Sequence, residues 1–233
     1  MLLPARARRR AFDRNLCVSV SNYSGDDLKR LLARALDPVD APEEMDFTRI
    51  TRDPHDYEPT YVSTLREAGV LAPIMDRPSG LSVLLTQRTA HLSNHGGQIS
   101  FPGGRREITD VDLAATALRE SHEEIGLEPA CVQMLGKLST VVIRSGFRVT
   151  PFVGIIDPAG FQPKADPREV AEVFEAPLSF FLDPANFTEE ERDYGTGLRR
   201  FHVALFEGRY IWGATAAMLW TLQTKLNKAA AVL

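Results

Sequence analysis

Apolar residues recur at helical spacing in three parts of the chain: Leu28, Leu31, Leu32 and Leu36; Ala114, Ala117, Leu118 and Ile125; and Met218, Leu219, Leu222 and Leu226. Ser24, with Asp27 three residues on, is a capping box for the first helix, and Asp37-Pro38 ends it. Gly126 stands where a left-handed cap would stop the second. Gly213-Ala214-Thr215 opens the third, with Lys225 and Lys228 complementing the negative end of its dipole. Between the helices lie shorter apolar runs. Residues 70–75 and 81–86 are predicted strands split by a turn at Arg77-Pro78-Ser79-Gly80. Residues 132–142 and 149–156 are β-rich runs able to pair, with Arg144-Ser145-Gly146 breaking them, and residues 201–206 and 210–212 flank Glu207-Gly208 as two more strands. Phe180-Phe181-Leu182 reads as a packed segment before a turn at Asp183-Pro184. Residues 37–60, with Pro38, Pro42, Pro54 and Pro59 among many acids, read as an extended connector, and residues 157–168 as a loop. Mixed strands with helices to either side predict an α/β fold layered as an α/β/α sandwich with a mixed sheet.

Composition narrows the function classes. At 233 residues and 44% hydrophobic content the chain can bury one sizeable core. A net charge of −4 supplies no global field for nucleic acid or an anionic membrane. No apolar run approaches the roughly 20 residues of a membrane span. Cys17 and Cys131 give no disulfide framework, which fits a reducing cytosol, and a cytoplasmic protein is expected. The Arg-rich start is expected to be a disordered basic tail rather than a transit peptide, since it shows no sustained amphipathic period.

Candidate chemistry gathers in residues 97–127. A glycine-bearing turn, Phe101-Pro102-Gly103-Gly104, leads through a charged loop into the second helix, which carries Arg119, Glu120, Glu123 and Glu124. The three glutamates fall within roughly one third of the helix circumference, where like charges repel. A hard cation such as Mg²⁺ reverses the sign of that interaction; a plain solvated acidic face is the alternative. His91 and His95 lie in a glycine-containing segment that reads as a loop, contacting substrate or solvent rather than forming a metal pair. His122 is turned away from the acids.

The same stretch resembles the Nudix box, Gly-x5-Glu-x7-Arg-Glu-U-x-Glu-Glu-x-Gly-U with U aliphatic, through Gly104, Asp110, Arg119, Glu120, Glu123, Glu124, Gly126 and Leu127. It departs in Asp110 for Glu, in one added residue before Arg119, and in Ser121 for the first aliphatic residue. Upstream, Leu84-Leu85-Thr86-Gln87-Arg88, Gly97 and Phe101-Pro102-Gly103-Gly104 resemble the second signature of Nudix coenzyme A pyrophosphatases, with Thr89 for Ser/Ala and Ser93 for an Arg. The resemblance implies a Nudix-type sandwich over residues 66–227, after a tail at 1–23 and a helix and connector at 24–65, with residues 228–233 as a C-terminal tail. It implies hydrolysis at a pyrophosphate, dependent on Mg²⁺ or Mn²⁺, of coenzyme A or acyl-coenzyme A, yielding 3',5'-ADP and a 4'-phosphopantetheine. NADH, ADP-ribose or a dinucleoside polyphosphate are the alternative substrates, and a nucleotide-binding module without turnover is the alternative class.

By the same resemblance Glu120 and Glu124 hold the metal, with Glu123 as a further ligand or a base that orients water. Arg119 holds a catalytic acid by ion pairing. The run from Glu169 to Leu178 resembles one that follows a loop overhanging the site in these enzymes. Glu169 is thus a further ligand or general base, or else a capping acid for a short helix. Arg88, Asn94, His95 and Gln98 are candidates for nucleotide contact by their positions in the second signature, with Gly103 and Gly104 beside the phosphates. The partner expected is a small nucleotide; nucleic acid and membrane are not, and a homodimer stays open.

Overall fold

The computed structural model describes residues 23–46, 62–91, 95–143, 145–193 and 198–232. The Arg-rich start with Cys17, the later connector (47–61), Ser93, Asn94 and Arg144 lie outside the described residues. In chain order the elements are α1 (Gly25–Ala35), β1 (Met45–Asp46), β2 (Arg66–Arg77), β3 (Gly80–Arg88), β4 (Ile99–Ser100), β5 (Gly103–Arg105), α2 (Leu113–Ile125), β6 (Val132–Lys137), β7 (Thr140–Ile143), β8 (Phe147–Ile156), β9 (Val170–Pro177), α3 (Leu178–Leu182), β10 (Phe187–Asp193), β11 (Leu198–Phe206), β12 (Arg209–Trp212) and α4 (Gly213–Ala230).

Strand β2 organises the main sheet. It runs parallel to β8 from Arg66 opposite Phe147 to Met75 opposite Ile156, antiparallel to β3 through the tight Arg77–Gly80 turn, and antiparallel to β5. The sheet is mixed, in the order β1-β7-β8-β2-β3-β4, with β6 also on β8 and β9 also on β3. Because strand residues alternate between faces, β2 and β3 feed two separate cores. Leu71, Met75 and Leu84 pack with Ala117, Ile125, Leu127, Phe152 and Ile156 under α2. Ala72, Ile74, Val83 and Leu85 pack with the leucines of α1 and with Met218, Leu219, Leu222 and Leu226 of α4. The expected three-layer α/β/α arrangement is what results.

Three expectations change in detail. The run 132–142 is two strands, β6 and β7, because the chain breaks at Leu138-Ser139 and each part pairs antiparallel with its own portion of β8. Part of the connector is stitched into the sheet: β1 pairs parallel with β7, and Asp37 bridges Lys137. Lys225 does not serve the helix dipole. Its ammonium pairs with Asp37 at 2.8 Å, a carboxylate brought within reach because α4 lies against α1. A second, three-stranded antiparallel sheet, β10-β11-β12, lies beside α4; β10, rich in acids, gave no strand signal in the sequence. No described helix is long and apolar enough to cross a membrane.

Candidate active site

Close backbone approaches at two glycines position the acidic helix. A Cβ on Gly69 of β2 would collide with the carbonyl oxygen of Leu113, so only glycine lets the first turn of α2 rest on the sheet there. One strand over, Gly104 pairs with Gly69, and a Cβ on Gly104 would stand 2.5 Å from the carboxyl carbon of Glu120. The Glu120 carboxylate therefore lies directly on the β5 backbone. Asp112 caps α2 by accepting the Ala115 N–H at 2.7 Å. Gly126, at φ 70°, donates its N–H to the His122 carbonyl, while the Leu127 N–H reaches that of Ser121, so the cap expected from sequence is present.

Arg119 is the hub of the more exposed side. It forks onto Asp110 with two 3.0 Å bonds, reaches Glu120 at 2.9 Å and Glu123 at 3.1 Å, and donates to the Arg105 carbonyl. Asp110 also accepts from the Thr116 hydroxyl and the Glu107 N–H. The Arg119 guanidinium beside it holds the Asp110 carboxyl far below its ordinary range, and Arg119 is raised in turn. Asp at this place of the box is thus an anchor for the arginine and for the loop that precedes the helix.

Glu124 is the buried acid of the set, only 3% exposed. Burial pushes its carboxyl up to about 8; Arg88 and the Gly103 N–H oppose that shift, while the negative Glu120 and Glu169 add to it. Its Oε1 faces Arg88 Nη1 at 3.4 Å, and its Oε2 is buried with no hydrogen-bond partner. Burial also raises the Glu120 carboxyl, against the pull of Arg119.

Glu169, about 45 residues away in sequence from Glu124, arrives by backbone stitching. The loop before β9 runs along the end of α2: the Lys164 N–H donates to the Ile125 carbonyl and the Asp166 N–H to that of Glu124. The Thr89 N–H then donates to the Glu169 carbonyl, and the half-exposed Glu169 carboxylate lies 3.9 Å from Arg88 Nη2. It precedes a strand, so the capping reading does not hold. Arg88 sits at a register shift between β3 and β9, a bulge of the kind that re-aims a side chain.

Of the nominated residues, Arg88, Gly103, Gly104, Arg119, Glu120, Glu123, Glu124 and Glu169 are linked into one cluster by ion pairs and close contacts. His95, at φ 59°, and Gln98 bond each other at 2.9 Å in the exposed turn before β4, next to Arg88 through the Gln98 carbonyl. Asn94 lies outside the described residues. His122 is half-exposed and faces Glu128 rather than the acids. Asp112 and Gly69 were missed by sequence reasoning, although an Asp just ahead of an apolar helical run and a glycine inside a strand are both recognised signals.

Glu120, Glu123 and Glu124 are each engaged with an arginine rather than with one another. Among the described residues no three His, Cys, Asp or Glu side chains stand together as a ready cation cage. Like charges repel, and each carboxylate has turned to a guanidinium: Glu120 and Glu123 to Arg119, Glu124 and Glu169 to Arg88. Glu120 and Glu124, one helical turn apart, share a face with Glu169, whereas Glu123 is 55% exposed on the flank. The donor set nevertheless fits a hard divalent cation. It consists of carboxylate oxygens, the kind Mg²⁺ and Mn²⁺ take, and the unpartnered Glu124 Oε2 is a buried acceptor with nothing to bind.

Comparison with known proteins agrees with the box. The family model for the NUDIX domain matches residues 65–194, more than half of the chain. A Salmonella paratyphi B protein named "Uncharacterized Nudix hydrolase NudL" is 39% identical over 162 residues, covering 70% of this chain and 83% of that one. Among solved structures, a Nudix hydrolase from M. Smegmatis, RenU, aligns with 26% identity and a TM-score of 0.40 over 49% of this chain and 72% of its own. A C. elegans Ap4A hydrolase aligns with 15% identity and a TM-score of 0.46 over 71% and 99%. With its box folded as described and more than half its length matched, the chain belongs to the Nudix hydrolase family.

Proposed function

We propose that this Nudix hydrolase cleaves the pyrophosphate link of coenzyme A or an acyl-coenzyme A, releasing 3',5'-ADP and the corresponding 4'-phosphopantetheine. The observation that carries the reading is the cluster in which the acids of α2, resting on β5, and Glu169 from the loop before β9 meet Arg88, the last residue of β3 and part of the second signature. Negative phosphate oxygens shield phosphorus from attack, so hydrolysis needs neutralising charge, a positioned water and a base. When bound, Mg²⁺ or Mn²⁺ supplies the neutralising charge. Glu120 and Glu124 would hold it, with Glu123 at the flank. Arg119, forked on Asp110, fixes where Glu120 and Glu123 can go. Glu169, half-exposed beside Arg88, takes the proton of the attacking water. Arg88 faces the same space, and the His95–Gln98 pair beside it offers polar contacts to the nucleotide.

Ser93, where the coenzyme A signature has an arginine, favours a second reading: another nucleotide such as NADH, ADP-ribose or a dinucleoside polyphosphate. Phosphate release measured across these substrates with Mg²⁺ or Mn²⁺ tests both. The expected outcome is highest kcat/KM on coenzyme A or acyl-coenzyme A, loss of about 100-fold or more in Glu124→Gln and Glu169→Gln, and no turnover without divalent cation. A higher kcat/KM on another nucleotide selects the second reading. No turnover of any of them would leave a nucleotide-binding module.

A further inference from the structure

The two guanidiniums of the cluster are held very differently. Arg119 is locked: a fork on Asp110, bonds near 3 Å to Glu120 and Glu123, and the Arg105 carbonyl. Arg88 has its backbone fixed, its N–H donated to the Gln98 carbonyl and its carbonyl accepting from the Gly97 N–H. Its tip is held by longer contacts. The distances of 3.4 Å to Glu124 and 3.9 Å to Glu169 are long for charged pairs, which close to about 2.7–2.9 Å when nothing prevents it. The guanidinium makes one long hydrogen bond, to Glu124 Oε1, and only approaches Glu169, while the second oxygen of Glu124 is buried without a partner. Whenever Glu124 is ionised, a buried carboxylate with one positive neighbour is costly to leave unpaired, so Arg88 stabilises the chain by itself. Its bond is to Oε1, an oxygen that a divalent cation on Glu124 would also take.

We propose that Arg88 is a displaceable counter-ion of the acidic cluster: in the metal-free chain it lies between Glu169 and Glu124, neutralises each when it is ionised, and gives up Glu124 when a divalent cation occupies that carboxylate. It is then a positioning residue that sets cation affinity. It stabilises the metal-free protein and, by the same contacts, weakens cation binding. The inference rests on the functional reading only in placing the cation at Glu124, and it needs no substrate.

The test is Mn²⁺ affinity of the full chain without substrate, followed by electron paramagnetic resonance, for the wild type, Arg88→Gln, Arg88→Lys and Glu124→Gln. Removing the competitor in Arg88→Gln should tighten Mn²⁺ binding roughly tenfold, the size of one charge-assisted hydrogen bond. Arg88→Lys, which keeps the charge without the fork, should fall between. In chelator, Arg88→Gln should melt several degrees below the wild type, and saturating Mn²⁺ should close that gap. A residue of merely structural value would lower melting in both states and leave affinity alone. Unchanged or weaker Mn²⁺ binding in folded Arg88→Gln overturns the inference; should that variant fail to fold, Arg88→Lys with affinity no tighter than wild type overturns it. If Glu124→Gln also binds Mn²⁺ as the wild type does, the placement of the cation fails too, and the two failures are told apart.

Discussion

Glu124 shows how one residue can be plain in sequence and altered by its surroundings. Its carboxyl, pushed to about 8 against an ordinary 4.5, keeps a proton in the folded chain that the unfolded chain releases. A raised carboxyl makes the folded state bind more protons between those two values, so the Glu124 contribution to stability is full below pH 4.5 and is lost as pH rises toward 8. Without divalent cation the protein should be less stable at pH 8 than at pH 5, by on the order of 2 kcal/mol. Glu124→Gln, which cannot ionise, should flatten that slope in urea titrations; an unchanged slope would mean another group carries it. The acid itself was legible from its place in the box. Its bare oxygen and raised carboxyl were not, because the burial comes from β5 and from the 164–169 loop, remote in the chain. Ser121 teaches the converse. It reads as a departure from an aliphatic position, yet it is fully buried and its hydroxyl donates to the Ala117 carbonyl at 2.6 Å, satisfied within its own helix.

Among elements, what decides the site is how near α2 comes to β2. The 3.6-residue period located the helix, a short apolar run located the strand, which is buried on both faces, and Gly126 gave the helix its end. The distance between them was not legible from period alone. It depends on Gly69, whose missing Cβ faces the Leu113 carbonyl, a backbone atom that cannot swing aside. Gly69→Ala should therefore cost about 1–3 kcal/mol by overpacking and displace the carboxylates of α2. Gly25→Ala is the control: a Cβ there meets nothing within 4 Å. Urea unfolding of the two variants separates a packing clash from the general effect of replacing glycine, and equal stability in both would refute the close-contact account. Strand β10 escaped the sequence reading for a different reason. Thr188-Glu189-Glu190-Glu191-Arg192 carries little apolar alternation, and as an edge strand it needs little. Its pairing with β11 is a property of the partner strand.

For the whole molecule, the sheet divides two tasks. One face is covered by α2, the helix that carries the box acids; the other holds the larger core, to which α1, α3, α4 and the second sheet all contribute. Sequence reading set α1 apart with the connector at 24–65, ahead of the Nudix stretch, because residues 37–60 look like a linker and nothing local shows what the leucine stripe meets. In the fold, Leu28, Leu31 and Leu32 are buried in the same core as Leu222 and Leu226 of α4, and the Lys225–Asp37 pair ties α4 to the chain just past the end of α1. The first helix is therefore structural to the domain. Leu32, with no exposed surface, gives the sharpest test. Leu32→Ala leaves a cavity and should cost about 2–5 kcal/mol. Because the sheet stands between Leu32 and the acids, Mn²⁺ affinity and kcat of the folded protein should stay within about twofold of wild type, since sites without shared partners act nearly additively. Chemical denaturation and cation titration on the same sample read both quantities. A variant as stable as wild type would mean that α1 is an appendage after all, and a stable one with lost cation binding would mean that the two faces are coupled through β2.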